Sequence, residues 1–182
     1  MRHLFTGKTA MLAAFVCAIA QSAAAQAKPL VPGAFGLGYT DVGPTIGLGG
    51  IGGASASFGG RFEHAIKALP EMGNGILGVQ VAFDYYSWSN TFYSYKYIPI
   101  GVTANYHFHL DEPKIDPFVG LGLGYQLITC DVSGLGNVCA SSAIYFIGRA
   151  GVRYFFSPKM AAYADAGAGA GALHVGLMFK LN

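Results

Sequence analysis

The chain has 182 residues, 53% of them hydrophobic and only 11% charged, with a formal net charge of +2. A soluble domain of this size carries roughly a quarter charged residues, so the composition points to a membrane. The few basic residues are scattered, which excludes the electrostatic footprint of a nucleic-acid binder.

A membrane-spanning helix needs about 20 consecutive apolar residues, and the longest apolar run here, Met11 to Ala20, is half that. Arg2 and Lys8 precede it and Gln21-Ser22-Ala23-Ala24-Ala25-Gln26-Ala27 follows it, the positive, apolar and small-residue sections of an export signal. Residues 1–25 are therefore expected to be a signal peptide, with cleavage after Ala25 or Ala27 and residues 28–182 as the mature domain. Cys17 follows Val16, whereas a lipoprotein signal wants a small residue before its cysteine, so lipidation is not expected.

Beyond residue 33 the dominant signal is alternation with period two, in segments separated by turn residues, the pattern of membrane β-strands. A first strand falls between Gly33 and Gly50. Pro44 cannot donate to a ladder, and the apolar parity of Phe35-Leu37-Tyr39 differs from that of Ile46-Leu48, so a kink or bulge near Val42 to Pro44 is expected. Ala54 to Ile66 follows, with Arg61 and Glu63 on its polar face. Leu77 to Tyr86 sets Leu77, Val79, Val81, Phe83 and Tyr85 against Gly78, Gln80, Ala82, Asp84 and Tyr86. Ile98 to Leu110 is the clearest: its even positions are apolar, and its odd positions are Pro99, Gly101, Thr103, Asn105, His107 and His109. Val119, Leu121, Leu123, Tyr125 and Leu127 oppose Gly120, Gly122, Gly124 and Gln126. Ile144 to Phe156 carries Arg149 and Arg153, and Met160 to Gly167 carries Tyr163 and Asp165. Leu173 to Leu181 closes the series, with His174, Gly176, Met178 and Lys180 on its polar face.

A sheet cannot leave an edge unpaired in hydrocarbon, so these strands must close, and eight fit the length. The predicted fold is all-β: an eight-stranded, antiparallel, up-and-down transmembrane barrel. With both termini periplasmic, Lys67 to Asn74, Asp111 to Ile115 and Ser157 to Lys159 are inner turns. Gly49 to Gly53, Ser87 to Tyr95, Thr129 to Ser141 and Gly167 to Gly171 face outward. The third outward loop contains Cys130 and Cys139, which in an exported chain are expected to form a disulfide staple. Tyr85, Tyr86, Trp88, Phe92, Tyr93, Tyr95 and Tyr97 at one end, and Tyr106, Phe108, Phe118, Tyr154, Phe155 and Phe156 at the other, suggest two headgroup girdles.

The export signal, Arg61-Phe62-Glu63-His64-Ala65, Ile98-Pro99-Ile100-Gly101-Val102 running into Asn105-Tyr106-His107-Phe108, and Asp116-Pro117-Phe118-Val119-Gly120-Leu121-Gly122-Leu123-Gly124-Tyr125 together resemble the small outer-membrane β-barrel superfamily typified by OmpA, OmpX and OmpW. The resemblance spans about residues 33 to 182. It implies residence in the cell outer membrane of a Gram-negative envelope, contact with membrane lipid and lipopolysaccharide, and insertion by the barrel-assembly machinery. Members commonly end on an aromatic residue, and this chain departs from them by ending Phe179-Lys180-Leu181-Asn182.

If the polar faces turn inward, the lumen receives Arg61, Glu63, Asp84, Arg149, Arg153, Asp165 and Lys180, four cations against three anions. Side chains fill a barrel of eight strands, so these groups are expected to form an ion-paired plug, with Tyr163 and Asp165 pairing toward Arg149 and Arg153. A structural or surface-interaction role follows. The alternative is a narrow pore for small or hydrophobic solutes. A second alternative, a soluble lipocalin-like barrel, would need the bulky apolar residues inside. His107 and His109 share a strand face at a spacing that can hold a metal, but no third ligand is evident and no metal is expected. An enzyme would need a serine and an acid beside the outward His64, and neither is placed there, so catalysis is not expected. Gly47-Leu48-Gly49-Gly50-Ile51-Gly52-Gly53 and the glycines from Gly120 to Gly124 lack the strand, helix and lysine of a phosphate loop, so no cofactor is expected. External ligands would meet the chain at loops 87–95 and 129–141.

Overall fold

The computed structural model describes residues 35–50, 54–91, 93–132, 136–137 and 142–182. The expected signal peptide lies outside them, as does Cys139. Strands β1 (Thr40–Leu48), β2 (Ala56–Leu69), β3 (Gly75–Ser89), β4 (Tyr93–His107), β5 (Ile115–Val132), β6 (Gly136–Asn137), β7 (Ala143–Ser157), β8 (Met160–Ala168) and β9 (Leu173–Lys180) form one antiparallel sheet. Apart from the two-residue β6, appended to the end of β5, each strand pairs with the next long strand in the chain, and β1 pairs with β9. The eight long strands thus make the closed barrel that the alternation predicts.

Sidedness follows the period-two pattern closely. Val42, Phe62, Val81, Phe83, Ile100, Val102, Leu121, Leu123, Phe146, Val175 and Leu177 are all exposed on the outer wall, while Asp41, Arg61, Glu63, Asp84, Arg153 and Asp165 are buried inside. This is the reverse of a soluble ligand-binding barrel, and it corrects the lipocalin-like alternative: an outer wall this apolar demands hydrocarbon around it.

The first strand needs no kink. β1 runs straight from Thr40, with Asp41, Thr45 and Gly47 inward and Val42, Pro44 and Ile46 outward. The parity clash disappears because residues 35–39 precede the strand: the chain turns at Gly38, with φ of 79°, and both Phe35 and Tyr39 tuck into the barrel. Pro44 acts on the ladder instead. Pairing with β9 holds at Asp41 and Val42, lapses at Gly43 and Pro44, and resumes at Thr45 in unchanged register, as expected where a backbone donor is missing. At the lapse the strands crowd together, and a Cβ on Gly43 would lie 1.7 Å from the Leu177 carbonyl oxygen. Only glycine fits there.

The wall is uneven. On one side β8, β9 and β1 have 9, 8 and 9 residues; on the other β3, β4 and β5 have 15, 15 and 18. A tilted strand crosses a bilayer in about 9–11 residues, so the short side barely spans and the tall side stands well beyond it. The expected outward loop Ser87 to Tyr95 is accordingly strand for most of its length.

The aromatic girdles need a correction for the same reason. At the end carrying the termini, Tyr106, Phe108, Tyr154 and Phe156 face out, but Phe118 and Phe155 are buried inside. At the far end Tyr85 faces out, whereas alternation turns Tyr86, Trp88, Tyr95 and Tyr97 to the lumen side. Aromatic residues favour strands on either face, so clustering alone did not reveal direction.

Candidate functional site in the barrel lumen

Two ion-paired layers cross the lumen. The layer nearer the termini centres on Arg153, fully buried, reaching from β7 to three other strands. Its Nε lies 3.1 Å from Asp41 Oδ2 and its Nη1 3.0 Å from Asp116 Oδ2, while Nη2 pairs with Glu63. The Nε contact is a charge contact without hydrogen-bond geometry. His107 lies between two of these acids, with Nδ1 2.9 Å from Asp116 Oδ1 and Nε2 2.9 Å from Glu63 Oε1. Carboxylates only accept, so a ring nitrogen that bonds one does so as the donor, and Arg153 Nη1 also lies 3.3 Å from Nδ1. Gln80 Nε2 and Asn105 Nδ2 also donate to Glu63, at 3.0 and 2.9 Å.

Aromatic rings sheathe this layer. The Arg153 guanidinium carbon lies 4.9 Å from the Phe35 ring, 5.3 Å from Phe118 and 5.7 Å from Tyr163, within cation–π range. Phe35 stacks on His107 with centroids 3.6 Å apart. The tucked segment before β1 therefore lids the charges, in keeping with the strength of electrostatics where water is thin.

The second layer joins two pairs through a histidine. Arg61 Nη2 contacts Asp84 Oδ2 at 3.0 Å, and Arg149 pairs with Asp165, which also accepts from the Tyr163 hydroxyl. His174 bridges them: Nδ1 lies 3.1 Å from Asp165 Oδ1, and Nε2 3.7 Å from Asp84 Oδ1. Nε2 also donates to the Ala170 carbonyl at 3.0 Å, and Arg149 Nη1 to that of Gly171 at 2.9 Å, tying the layer to the β8–β9 turn. Between Arg61, Gln80, Asp84, Thr103, Tyr145, Arg149 and His174 a cavity of about 20 Å³ is left, room for about one water molecule.

Six of the seven sequence-predicted lumen residues thus lie in these layers: Arg61, Glu63, Asp84, Arg149, Arg153 and Asp165. Lys180 does not. It lies at the mouth, its Nζ 5.2 Å from the Tyr39 ring, and among the described residues it makes no ion pair. Its place opposite Asp41 at the end of β9 explains this, since Arg153 already occupies that acid. Sequence reasoning missed Asp41, His107, Asp116 and His174 as network members. His107 and His174 stood on polar strand faces and were legible. Asp41 was hidden by the unresolved parity of the first strand, and Asp116 by a strand placed to begin at Val119 when it begins at Ile115. His109 is exposed beyond β4, so no His107–His109 pair forms. Cys130 is buried at the inner face of β5.

No family profile matches the sequence, and no curated protein matches it. Solved structures do. OprG, an outer-membrane protein of Pseudomonas aeruginosa, superposes with a TM-score of 0.56 at 12% identity over 84% of this chain and 100% of its own. The attachment invasion locus protein Ail of Yersinia pestis superposes at 0.51, with 13% identity over 78% of this chain and 93% of its own, and that protein has also been crystallised with the heparin analogue sucrose octasulfate. At such identities the likeness is one of fold. With the closed sheet and apolar exterior above, the chain is a membrane-spanning β-barrel of outer-membrane type.

Proposed function

From a barrel of outer-membrane type, we propose that the chain is an integral outer-membrane protein whose lumen is closed by its own side chains and whose role is structural or in contact at the cell surface. On this reading residues 1–25 are an export signal, the termini face the periplasm, barrel-assembly machinery inserts the mature chain beside lipopolysaccharide, and a Cys130–Cys139 bridge staples the third outer loop. The observation that carries it is the pair of ion-paired layers crossing the lumen, with a cavity of about 20 Å³ beside Arg61, Asp84, Arg149 and His174 of the second. A surface role is supported by a precedent of the same fold, since Ail takes a soluble ligand. No catalysis is part of the reading: the outward His64 has Thr40 Oγ1 2.7 Å from its Nδ1 rather than a serine.

Planar-bilayer recording tests the closed lumen. The refolded mature chain should give no sustained current step, and Arg153→Ala, which leaves Glu63, Asp41 and Asp116 without their shared cation, should introduce brief openings. A steady step in the unaltered chain that Arg149→Ala abolishes would establish the narrow-pore alternative instead.

A further inference from the structure

The outer wall has a feature that neither the closed lumen nor membrane insertion requires. β7 begins at Ala143 and pairs with β5 from there, but its pairing with β8 starts only at Gly148, opposite Ala168. Above the end of β8 the outer surface is therefore recessed. The recess is a groove of about 620 Å³, lined by Leu121 and Leu123 of β5, Phe146, Ile147 and Gly148 of β7, and Ala168 of β8. Phe146 and Leu121 on its flank are 83% and 75% exposed, the barest large apolar side chains among the described residues, so none of those residues fills it.

Along the outer face of β5 an apolar track leads up from the groove through Tyr125 and Leu127, and it ends at Thr129. Thr129 lies opposite Lys96 of β4, and Lys96 opposite Ser87 of β3, so a lysine stands between two hydroxyl residues in one row across three paired strands. All three are exposed, and directly beneath them lie the outward Tyr85, Ile98 and Leu127. Lys67, Lys114, Lys159 and Lys180 sit toward the end carrying the termini, and Arg61, Arg149 and Arg153 face the lumen. Among the described residues Lys96 is thus the one cation on the outer surface at this level, and it makes no ion pair with any of them. The row is stiffened from behind. On the concave side Tyr86 stacks on Tyr97 at 4.7 Å with planes 11° apart, and Gln126 Nε2 donates to the Tyr86 hydroxyl at 2.9 Å.

We propose that the row and the groove together bind one phosphate-bearing lipid of the outer leaflet, its phosphate at Lys96 and an acyl chain laid along β5 into the groove. A lysine ammonium is a compact point charge suited to phosphate, and the flanking hydroxyls donate to the remaining phosphate oxygens. The spacing fits an acyl chain. From Thr129 down to Leu123 is about 20 Å of strand, which at the usual tilt of about 45° descends roughly half of a hydrocarbon core about 30 Å thick. Charge complementarity selects a phosphate over a neutral head, and the apolar track beneath it selects a lipid over a free phosphate. Lipid tails are as apolar as the wall, so the gain at the groove comes from close packing and not from escape from water. The site rests on the membrane reading above, because it is the bilayer that brings the lipid to it.

Native mass spectrometry of the refolded mature chain in detergent tests the site with dimyristoyl phosphatidic acid, with dimyristoylglycerol, which lacks the phosphate, and with glycerophosphate, which lacks the chains. A single phosphatidic acid per barrel should be retained at concentrations where neither of the others is. Lys96→Gln should weaken retention about fivefold, the contribution of one lysine near a membrane surface, and Lys67→Gln, at the opposite end, should leave it unchanged. Gly148→Leu should weaken it by filling the groove, and its fold is not at risk, since a Cβ on Gly148 meets nothing nearer than Leu121 Cδ2 at 3.6 Å. Heat-modifiable gel migration of each sample separates the two readings. A chain that does not migrate as a closed barrel refutes the membrane reading. One that does, yet retains no phosphatidic acid, or retains several copies whatever stands at Lys96 and Gly148, refutes the site. Equal retention of dimyristoylglycerol or of glycerophosphate would overturn it as well, since the charge or the groove would then play no part.

Discussion

The lower lumen and the outer mouth are built from the same strands by opposite rules. On β3, Asp84 points inward between the outward Phe83 and Tyr85; a few residues later Tyr86 and Trp88 point inward beside the outward Ser87 and Ser89. The backbone alternation is unchanged, and what changes is the medium outside. Where acyl chains surround the wall, polar groups are left only the interior and must satisfy one another there. Where water surrounds it, the interior becomes the place for apolar rings. In this barrel the ion-paired layers, with Phe35, Phe118 and Tyr163 packed among them, lie where the outer wall is apolar.

The largest expected effect lies in the lower lumen. Arg153→Ala leaves three carboxylates buried without their shared partner, which should cost about 3–5 kcal/mol, the range for removing one member of a buried ion pair; urea unfolding in lipid vesicles measures it. Breaking the sidedness rule comes next. Val102→Arg places a charge against hydrocarbon and should cost about 2–4 kcal/mol, whereas Ser87→Arg, on the same outer surface but above the boundary, should cost about 0–1 kcal/mol in the same assay. Equal costs would mean that the tall side is not outside the membrane. Gly43→Ala drives a methyl group into the β9 backbone, and a penalty of about 1–3 kcal/mol is expected, with faster amide exchange along β9 as its signature. Smallest is Tyr97→Phe, which keeps the stack and should change stability by no more than about 0.5 kcal/mol.

Much of the fold was legible because one physical constraint repeats along every strand. The period-two pattern located eight strands, the faces of all but the first and six of the charged residues inside. Its failures came where a different constraint took over. Phe35, Leu37 and Tyr39 looked like strand parity, but they belong to a turn that folds a lid into the barrel, and this hid Asp41. The aromatic residues from Tyr85 to Tyr97 looked like one girdle because composition reports amounts and not directions; the outward serines alternating with them carried the direction. The pairings across the lumen, Arg153 to Glu63 or His174 to Asp165, depend on register and stagger, which no local pattern encodes.

Spin labels placed along the outer face of β3 test the central claim most directly. Labels at Val81 and Phe83 should be relaxed by oxygen dissolved in the bilayer and shielded from a water-soluble paramagnet, and labels at Ser87 and Ser89 should show the opposite. Hydrocarbon at Ser87 and Ser89, or water at Val81 and Phe83, would contradict the account.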